Sequence, residues 1–262
     1  KLFMTEIISI ISGKGGVGKT FFSINISAAL AYVGKKVLLI DANMTTPNVA
    51  INLKIPSYEK TLHNVLKGEA SMRDVILNTD YGFDVIPSSF SVRDLIGTDP
   101  EKLSESIYEI VGLYDYIIID TSAGLGRETL AAIKASDNGI LITVPEKAAL
   151  ASAYKAMRVA ESLFVPVIGV VLNMYDPKYT IKVNDVEYYL AKHIIGTIRR
   201  DNIVRESMES GVPLVFYNKN SAVAQDILKI AYELIGEKYT ADYKEESKKG
   251  IIAKLLSIFK WR

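Results

Sequence analysis

Residues Gly13 to Thr20 read Gly-Lys-Gly-Gly-Val-Gly-Lys-Thr, and they join two unlike stretches. Ahead of them lies an apolar, β-branched run, Ile7-Ile8-Ser9-Ile10-Ile11; behind them Phe21 to Leu30 carry a helical pattern. A strand must therefore run into a glycine loop that opens directly into a helix, a junction that leaves few folds available. Gly13, Gly15, Gly16 and Gly18 free the backbone to turn its N–H groups onto an anion, and the helix aims its positive end at the same place. The octet fits the phosphate loop G-x-x-x-x-G-K-[ST]. In that loop Lys19 reaches β- and γ-phosphates and the Thr20 hydroxyl holds Mg²⁺. Val17 and Phe21 complete the candidate nucleotide-binding stretch. A plain turn requires neither lysine nor threonine at these positions. Lys14 is a second lysine that the cradle itself does not need.

The remaining sequence alternates in type. Apolar strand-like runs occur at 37–40, 82–86, 116–119, 139–144, 167–172 and 194–198. Helical patterns occupy about 19–34, 101–112, 126–136, 148–163, 201–210 and 221–236. Nearly continuous apolar strands are buried on both faces, so the expected fold class is α/β. The architecture is a doubly wound, mostly parallel sheet with helices on both faces. Its ligands bind outside the carboxyl ends of the strands. Charge is nearly balanced, 31 basic against 30 acidic residues, so a polyanion partner is not implied globally. The chain has no cysteine, which excludes disulfides and cysteine-ligated iron–sulfur or zinc sites and fits a reducing compartment. No signal-peptide layout and no apolar run of about 18 residues is present, so a cytoplasmic protein without a membrane span is expected.

Three strand ends carry polar side chains where such a ligand would sit. Asp120 follows four apolar residues and needs a cationic or hydrogen-bonding partner; beside a phosphate loop that partner is the Mg²⁺ shell, and the bland alternative is a turn cap. The small residues after it, through Gly124, form a loop whose glycine can approach the γ-phosphate. Asp41 ends the second run, either facing the phosphates or closing an ordinary turn. Asn173 ends the 167–172 run and either reads an adenine edge or caps a loop. Asp201 is either a helix N-cap or part of the base pocket.

Taken together, Lys14-Gly15-Gly16-Val17-Gly18-Lys19-Thr20, Asp41, the strand into Asp120 with Gly124, and Asn173 resemble the MinD/ParA family of ATPases with a two-lysine phosphate loop. The resemblance runs over residues 5–236. It implies ATP and Mg²⁺ as ligands and an ATP-dependent homodimer. In that dimer Lys14 reaches across to the partner's ATP and stabilises transition-state charge, as arginine fingers do. Catalytic roles fall by this resemblance to Lys14, Lys19, Asp41, Asn43 and Asp120.

The sequence departs from the family pattern in four places. Asp41-Ala42-Asn43 replaces the usual D-x-D, so Asn43 can orient a water but supplies no negative charge; slow hydrolysis or a stable ATP-bound dimer is expected. Ser122 stands where proline is common, Met174 where arginine is common, and Arg200 precedes Asp201 where a proline often shapes the base pocket.

A second signal lies in the tail. Residues 1–236 read as the ATPase domain, 237–247 as a polar tether and 248–262 as an amphipathic helix. Ile251, Ile252, Leu255, Leu256 and Phe259 fall on one arc, flanked by lysines, with Trp261 near its edge. Such a helix lies on an anionic membrane surface or packs its stripe on the domain. Family members carry a similar basic tail, which implies peripheral attachment at the inner face of the cell membrane and two tails per dimer. Three functions follow from these features. The first is a MinD-like ATPase whose dimerisation governs membrane attachment and positions partner proteins, with an unidentified partner or activator and no specific nucleic acid. The second is a ParA-like DNA-partition ATPase. The third is a nucleotide-gated scaffold with little hydrolysis.

Overall fold

Alternation of isoleucine, leucine and valine builds a single sheet of eight strands. These are β1 (Glu6–Ile11), β2 (Val37–Asp41), β3 (Leu77–Asn78), β4 (Asp84–Ile86), β5 (Tyr116–Asp120), β6 (Asn138–Thr143), β7 (Val167–Tyr175) and β8 (Ile194–Arg199). The computed structural model describes residues 5–178 and 181–239. Strand order is β3-β4-β2-β5-β1-β6-β7-β8. Every pairing is parallel except β3 with β4. The doubly wound α/β sheet expected from the alternation is therefore the fold.

Burial on both faces follows from the strand period of two. Ile8, Ile10, Leu39 and Ile118 face a core shared with helix α1 (Lys19–Tyr32) and the helix Ala222–Leu234. Ile7, Leu38, Ile40, Ile117 and Ile119 face the opposite core. A third cluster joins Ile11, Leu141 and Val170 to Leu150, Ala153 and Met157 of the helix Lys147–Ser162. The innermost strand, β1, lies between β5 and β6, so the chain reverses direction around it and opens the crevice where the phosphate loop sits.

Helix α1 is apolar nearly all round because it is buried nearly all round. Its polar residues are paired internally. Asn25 donates from Nδ2 to the Phe21 carbonyl (2.9 Å) and accepts from the Leu214 amide (2.7 Å). Ser27 Oγ donates to the Ser23 carbonyl at 2.7 Å. Buried amides and hydroxyls without such partners would cost about 1–3 kcal/mol each.

Local signals misplaced several elements. The 101–112 helix is broken into 3₁₀ turns at Pro100–Lys102 and Tyr108–Ile110 around a short helix, Leu103–Ile107. A helix absent from the pattern, Val183–Leu190, packs only Val186 and Leu190 inward, and short helices at Val49–Asn52, Leu62–Lys67 and Leu214–Tyr217 were also unmarked. Asn173 does not end its strand: β7 continues to Tyr175 because Tyr175 still pairs with Arg199 of β8. Among the described residues no helix is long and apolar enough to cross a membrane. The amphipathic stretch 248–262, with Ile251, Ile252, Leu255, Leu256, Phe259 and Trp261, lies outside the described residues, as do 240–247 of the tether.

Candidate nucleotide site

The glycine loop is shaped by what it must pass. A side chain at Gly13 would put its Cβ 1.9 Å from the Ser152 carbonyl oxygen, so the loop leaves β1 pressed on the helix Lys147–Ser162. Gly16 and Gly18 hold φ of 78° and 91°, a region that favours glycine. Gly18 ends the loop; the Phe22 amide bonds its carbonyl at 2.9 Å, which starts α1. The loop thus runs from the carboxyl end of β1 to the N-terminus of α1.

The two lysines of the loop occupy opposite environments. Lys19 is only 8% exposed. Burial lowers its ammonium below the ordinary lysine range, and the nearby Asp120 carboxylate partly opposes that shift. Lys14 is half-exposed, and its Nζ lies 3.3 Å from Glu146 Oε2, a surface ion pair.

Asp120 ends β5 fully buried. Its Oδ2 accepts from Thr20 Oγ1 at 2.7 Å and its Oδ1 accepts from Ser23 Oγ at 2.9 Å. Burial raises its carboxyl, while Thr20, Lys19 and Ser23 pull it back toward the ionised form. The adjoining Thr20 hydroxyl and Asp120 carboxylate form an all-oxygen pair at the mouth of the loop. That donor set suits Mg²⁺, which takes one or two carboxylates and completes its shell with phosphates and water. Among the described residues no cluster of three or more His, Cys, Asp or Glu could hold a metal by itself. Ser23 lies one helical turn after Lys19 and one before Ser27, and no motif marks it in the sequence.

Asp41 pairs in register with Asp120 on the neighbouring strand. Its carboxylate is turned to the backbone: Oδ1 accepts from the Asn43 amide at 3.2 Å, and Oδ2 from the amides of Asn48 and Val49, each at 3.0 Å. Burial first, and the adjacent Asp120 charge second, push its carboxyl up to about 8. Of the two readings of Asp41, the structure thus displays the turn-closing one: it ties down both ends of the 42–48 loop. Asn43 Oδ1 accepts from the Thr46 amide (3.2 Å) and from Thr46 Oγ1 (3.1 Å). Asn43 and Thr46 line a cleft of about 330 Å³ with Gly18, Lys19, Thr20 and Thr121.

Glu128 also went unmarked in the sequence. Its carboxylate accepts from the Met44 amide (2.7 Å), the Thr45 amide (3.3 Å) and Thr45 Oγ1 (2.6 Å). It therefore bridges the loop after β2 to the helix Arg127–Lys134 that follows the Gly124 loop. A partner more than 80 positions away leaves no local sequence signal. Gly124 has φ of 84° and open space around its Cα, as a loop that approaches a ligand requires. The Ser122 hydroxyl lies in hydrogen-bond contact with that of Thr129 at 3.0 Å, which ties the loop to the helix Arg127–Lys134.

A second cavity, about 270 Å³ and more apolar, opens on the other side of Gly18. Phe21, Asn173, Met174, Asp201 and Val204 line it. Asn173 Nδ2 donates to the Val17 carbonyl at 2.8 Å and stands where a Cβ on Gly18 would fall, 2.3 Å away. The side chain thus props the phosphate loop. Asp201 lines the cavity but is not the N-cap of the helix Ile203–Ser210, which is Asn202; it stands one residue earlier, and its Oδ1 accepts from the Ile203 amide at 3.0 Å. Arg199 at the cavity edge is fixed by paired bonds of 2.7 and 2.8 Å to Asp226.

A glycine cradle, a buried lysine, a cation pair and a flanking apolar pocket on a doubly wound sheet define a P-loop nucleotide-binding protein. Comparison with known proteins agrees. Residues 5–166 match the family model described as an AAA domain, and residues 104–235 match that of the NUBPL iron-transfer P-loop NTPase. An uncharacterized ATP-binding protein of Methanocaldococcus jannaschii is 37% identical over 254 residues, covering 97% of this chain and 96% of that one. The septum site-determining protein MinD of Bacillus subtilis is 29% identical over 269 residues, 98% of each chain. The structure of MinD from Pyrococcus horikoshii, complexed with Mg-ADP, superposes with a TM-score of 0.85 at 35% identity, covering 88% of this chain and 96% of that one. The chain belongs to the MinD/ParA family of P-loop ATPases.

Proposed function

We propose that this chain is a MinD-like ATPase in which Mg²⁺–ATP drives homodimerisation. Dimerisation in turn controls reversible attachment to the inner face of an anionic membrane and the placement of a partner protein. The observation that carries the reading is the unequal placement of the two loop lysines. Lys19 is committed to its own cradle, whereas Lys14 is half-exposed and held by one ion pair, of a kind worth about 0–1 kcal/mol. Little holds Lys14 back from a second chain's nucleotide. Thr20 and Asp120 would hold Mg²⁺, whose charge offsets that developing on the phosphates. The glycine amides and Lys19 bind the phosphates; Asn173 Oδ1 and the pocket with Met174 and Asp201 receive the base. Residues 1–236 form the ATPase domain, joined through 237–247 to a membrane-binding helix at 248–262.

Hydrolysis is slow in this reading, because Asn43 has no carboxylate with which to polarise a water. That residue also favours a second reading, a nucleotide-gated scaffold with little turnover; single-turnover hydrolysis in wild type and Asn43→Asp separates the two. Co-sedimentation with anionic liposomes tests the main reading. More chain pellets with ATP than with ADP if nucleotide controls attachment, and equal pelleting refutes the coupling.

A further inference from the structure

The orientation of the Asn43 amide is settled by its neighbour. The Thr46 backbone N–H can only donate, so the Asn43 atom 3.2 Å from it must be the oxygen. The Thr46 hydroxyl, 3.1 Å from that oxygen, occupies it a second time. The acceptor half of the amide is therefore spent within the loop, and the half left over is Nδ2, a donor. Asn43 is 8% exposed and lines the same cleft as Lys19 and Thr20, where an acceptor-rich phosphate would sit. Around it the loop is clamped from two sides, by the Asp41 carboxylate on the amides of Asn43, Asn48 and Val49 and by Glu128 on those of Met44 and Thr45.

We infer that Asn43 is a γ-phosphate donor that lets this chain distinguish a nucleoside triphosphate from a diphosphate. This inference rests on the reading of the cleft as an ATP site. A loop built this way offers an attacking water no acceptor at position 43. It instead offers the terminal phosphate a hydrogen bond, which stabilises bound triphosphate before any chemistry. Glu128 acts as a positioning residue that holds the turn presenting the amide.

The test is the binding of ATPγS and of ADP, each with Mg²⁺, to the full chain by calorimetry. Asn43→Ala removes the donor and is expected to weaken ATPγS about 10- to 100-fold, the worth of one hydrogen bond to a charged group. ADP affinity stays within about twofold, since no donor to a β-phosphate is lost. Asn43→Asp keeps an oxygen for Thr46, so the loop stays closed, but sets a negative charge against the phosphate. It weakens ATPγS at least as much as the alanine and again spares ADP. Equal weakening of both nucleotides in the two variants, or no change in either, overturns the inference. If the unaltered chain binds neither nucleotide, the ATP-site reading itself is refuted.

Discussion

Replacing Ser23 by alanine probes the cation pair through a residue that no motif marks. The hydroxyl has one proton to give, and two acceptors compete for it: Asp120 Oδ1 at 2.9 Å and the Lys19 carbonyl at 3.1 Å. The carboxylate is closer and charged, so it takes the proton. Its loss leaves a fully buried carboxylate oxygen without a partner, at a cost of about 2 kcal/mol. Alanine recovers about 0.5 kcal/mol through its better helix propensity. The net destabilisation of about 1.5 kcal/mol corresponds to a drop of about 3–6 °C in Tm for a domain of this size.

The same change acts on the ligand. With one donor fewer, the Asp120 carboxyl rises further above its ordinary value, and the carboxylate that would meet Mg²⁺ is held by Thr20 without Ser23. Titration of Mg²⁺ against a fluorescent ATP analogue should show the midpoint moving to about tenfold higher Mg²⁺, equivalent to about 1.4 kcal/mol. A Tm within 1 °C of wild type together with an unmoved Mg²⁺ midpoint would refute the assignment of Ser23 to Asp120.

Other perturbations have equally definite outcomes. Gly18→Ala forces a side chain into φ of 91° and against the Asn173 amide, so nucleotide affinity in a direct titration should fall at least tenfold. Glu128→Ala releases the Met44–Thr45 turn; the ATPγS/ADP affinity ratio should fall with Tm lowered by only a few degrees, which calorimetry and thermal melts read separately. Asp41 has a carboxyl raised from 3.8 to about 8 by burial and by Asp120, so the folded chain holds a proton that the unfolded chain gives up. Its contribution to stability is complete below about pH 4 and is lost as pH rises to about 8. Nucleotide-free Tm should therefore decline across that window, and Asp41→Asn, which mimics the protonated acid, should flatten the decline.

Much of this architecture was legible in the chain because its strongest signals are local. The strand, glycine loop and helix from Ile7 to Leu30 needed only short-range patterns, and β5 with its terminal Asp120 needed only four apolar residues and an acid. Asn173 was marked as a site residue, yet its strand end was misplaced, because pairing of Tyr175 with Arg199 extends β7 beyond the apolar run. The sequence around Asp41 fits a phosphate-facing and a turn-closing role equally, since nothing nearby shows that the amides of Asn48 and Val49 fold back upon it. Glu128 was unreadable: its partners, Met44 and Thr45, meet it only when two loops converge at the end of the sheet. The helix Val183–Leu190 has a weak sequence signal because it buries only Val186 and Leu190.

In the proposed function ATP pairs two chains and Lys14 completes the site of its neighbour. Sedimentation velocity of the full chain with Mg²⁺ and a slowly hydrolysed ATP analogue, alongside Mg²⁺–ADP and the Lys14→Ala variant, tests it most directly. Dimers are expected with the ATP analogue alone, monomers with ADP, and monomers for Lys14→Ala even though that variant still binds nucleotide through Lys19. A chain that stays monomeric with the ATP analogue, or a Lys14→Ala variant that dimerises as wild type does, would contradict it.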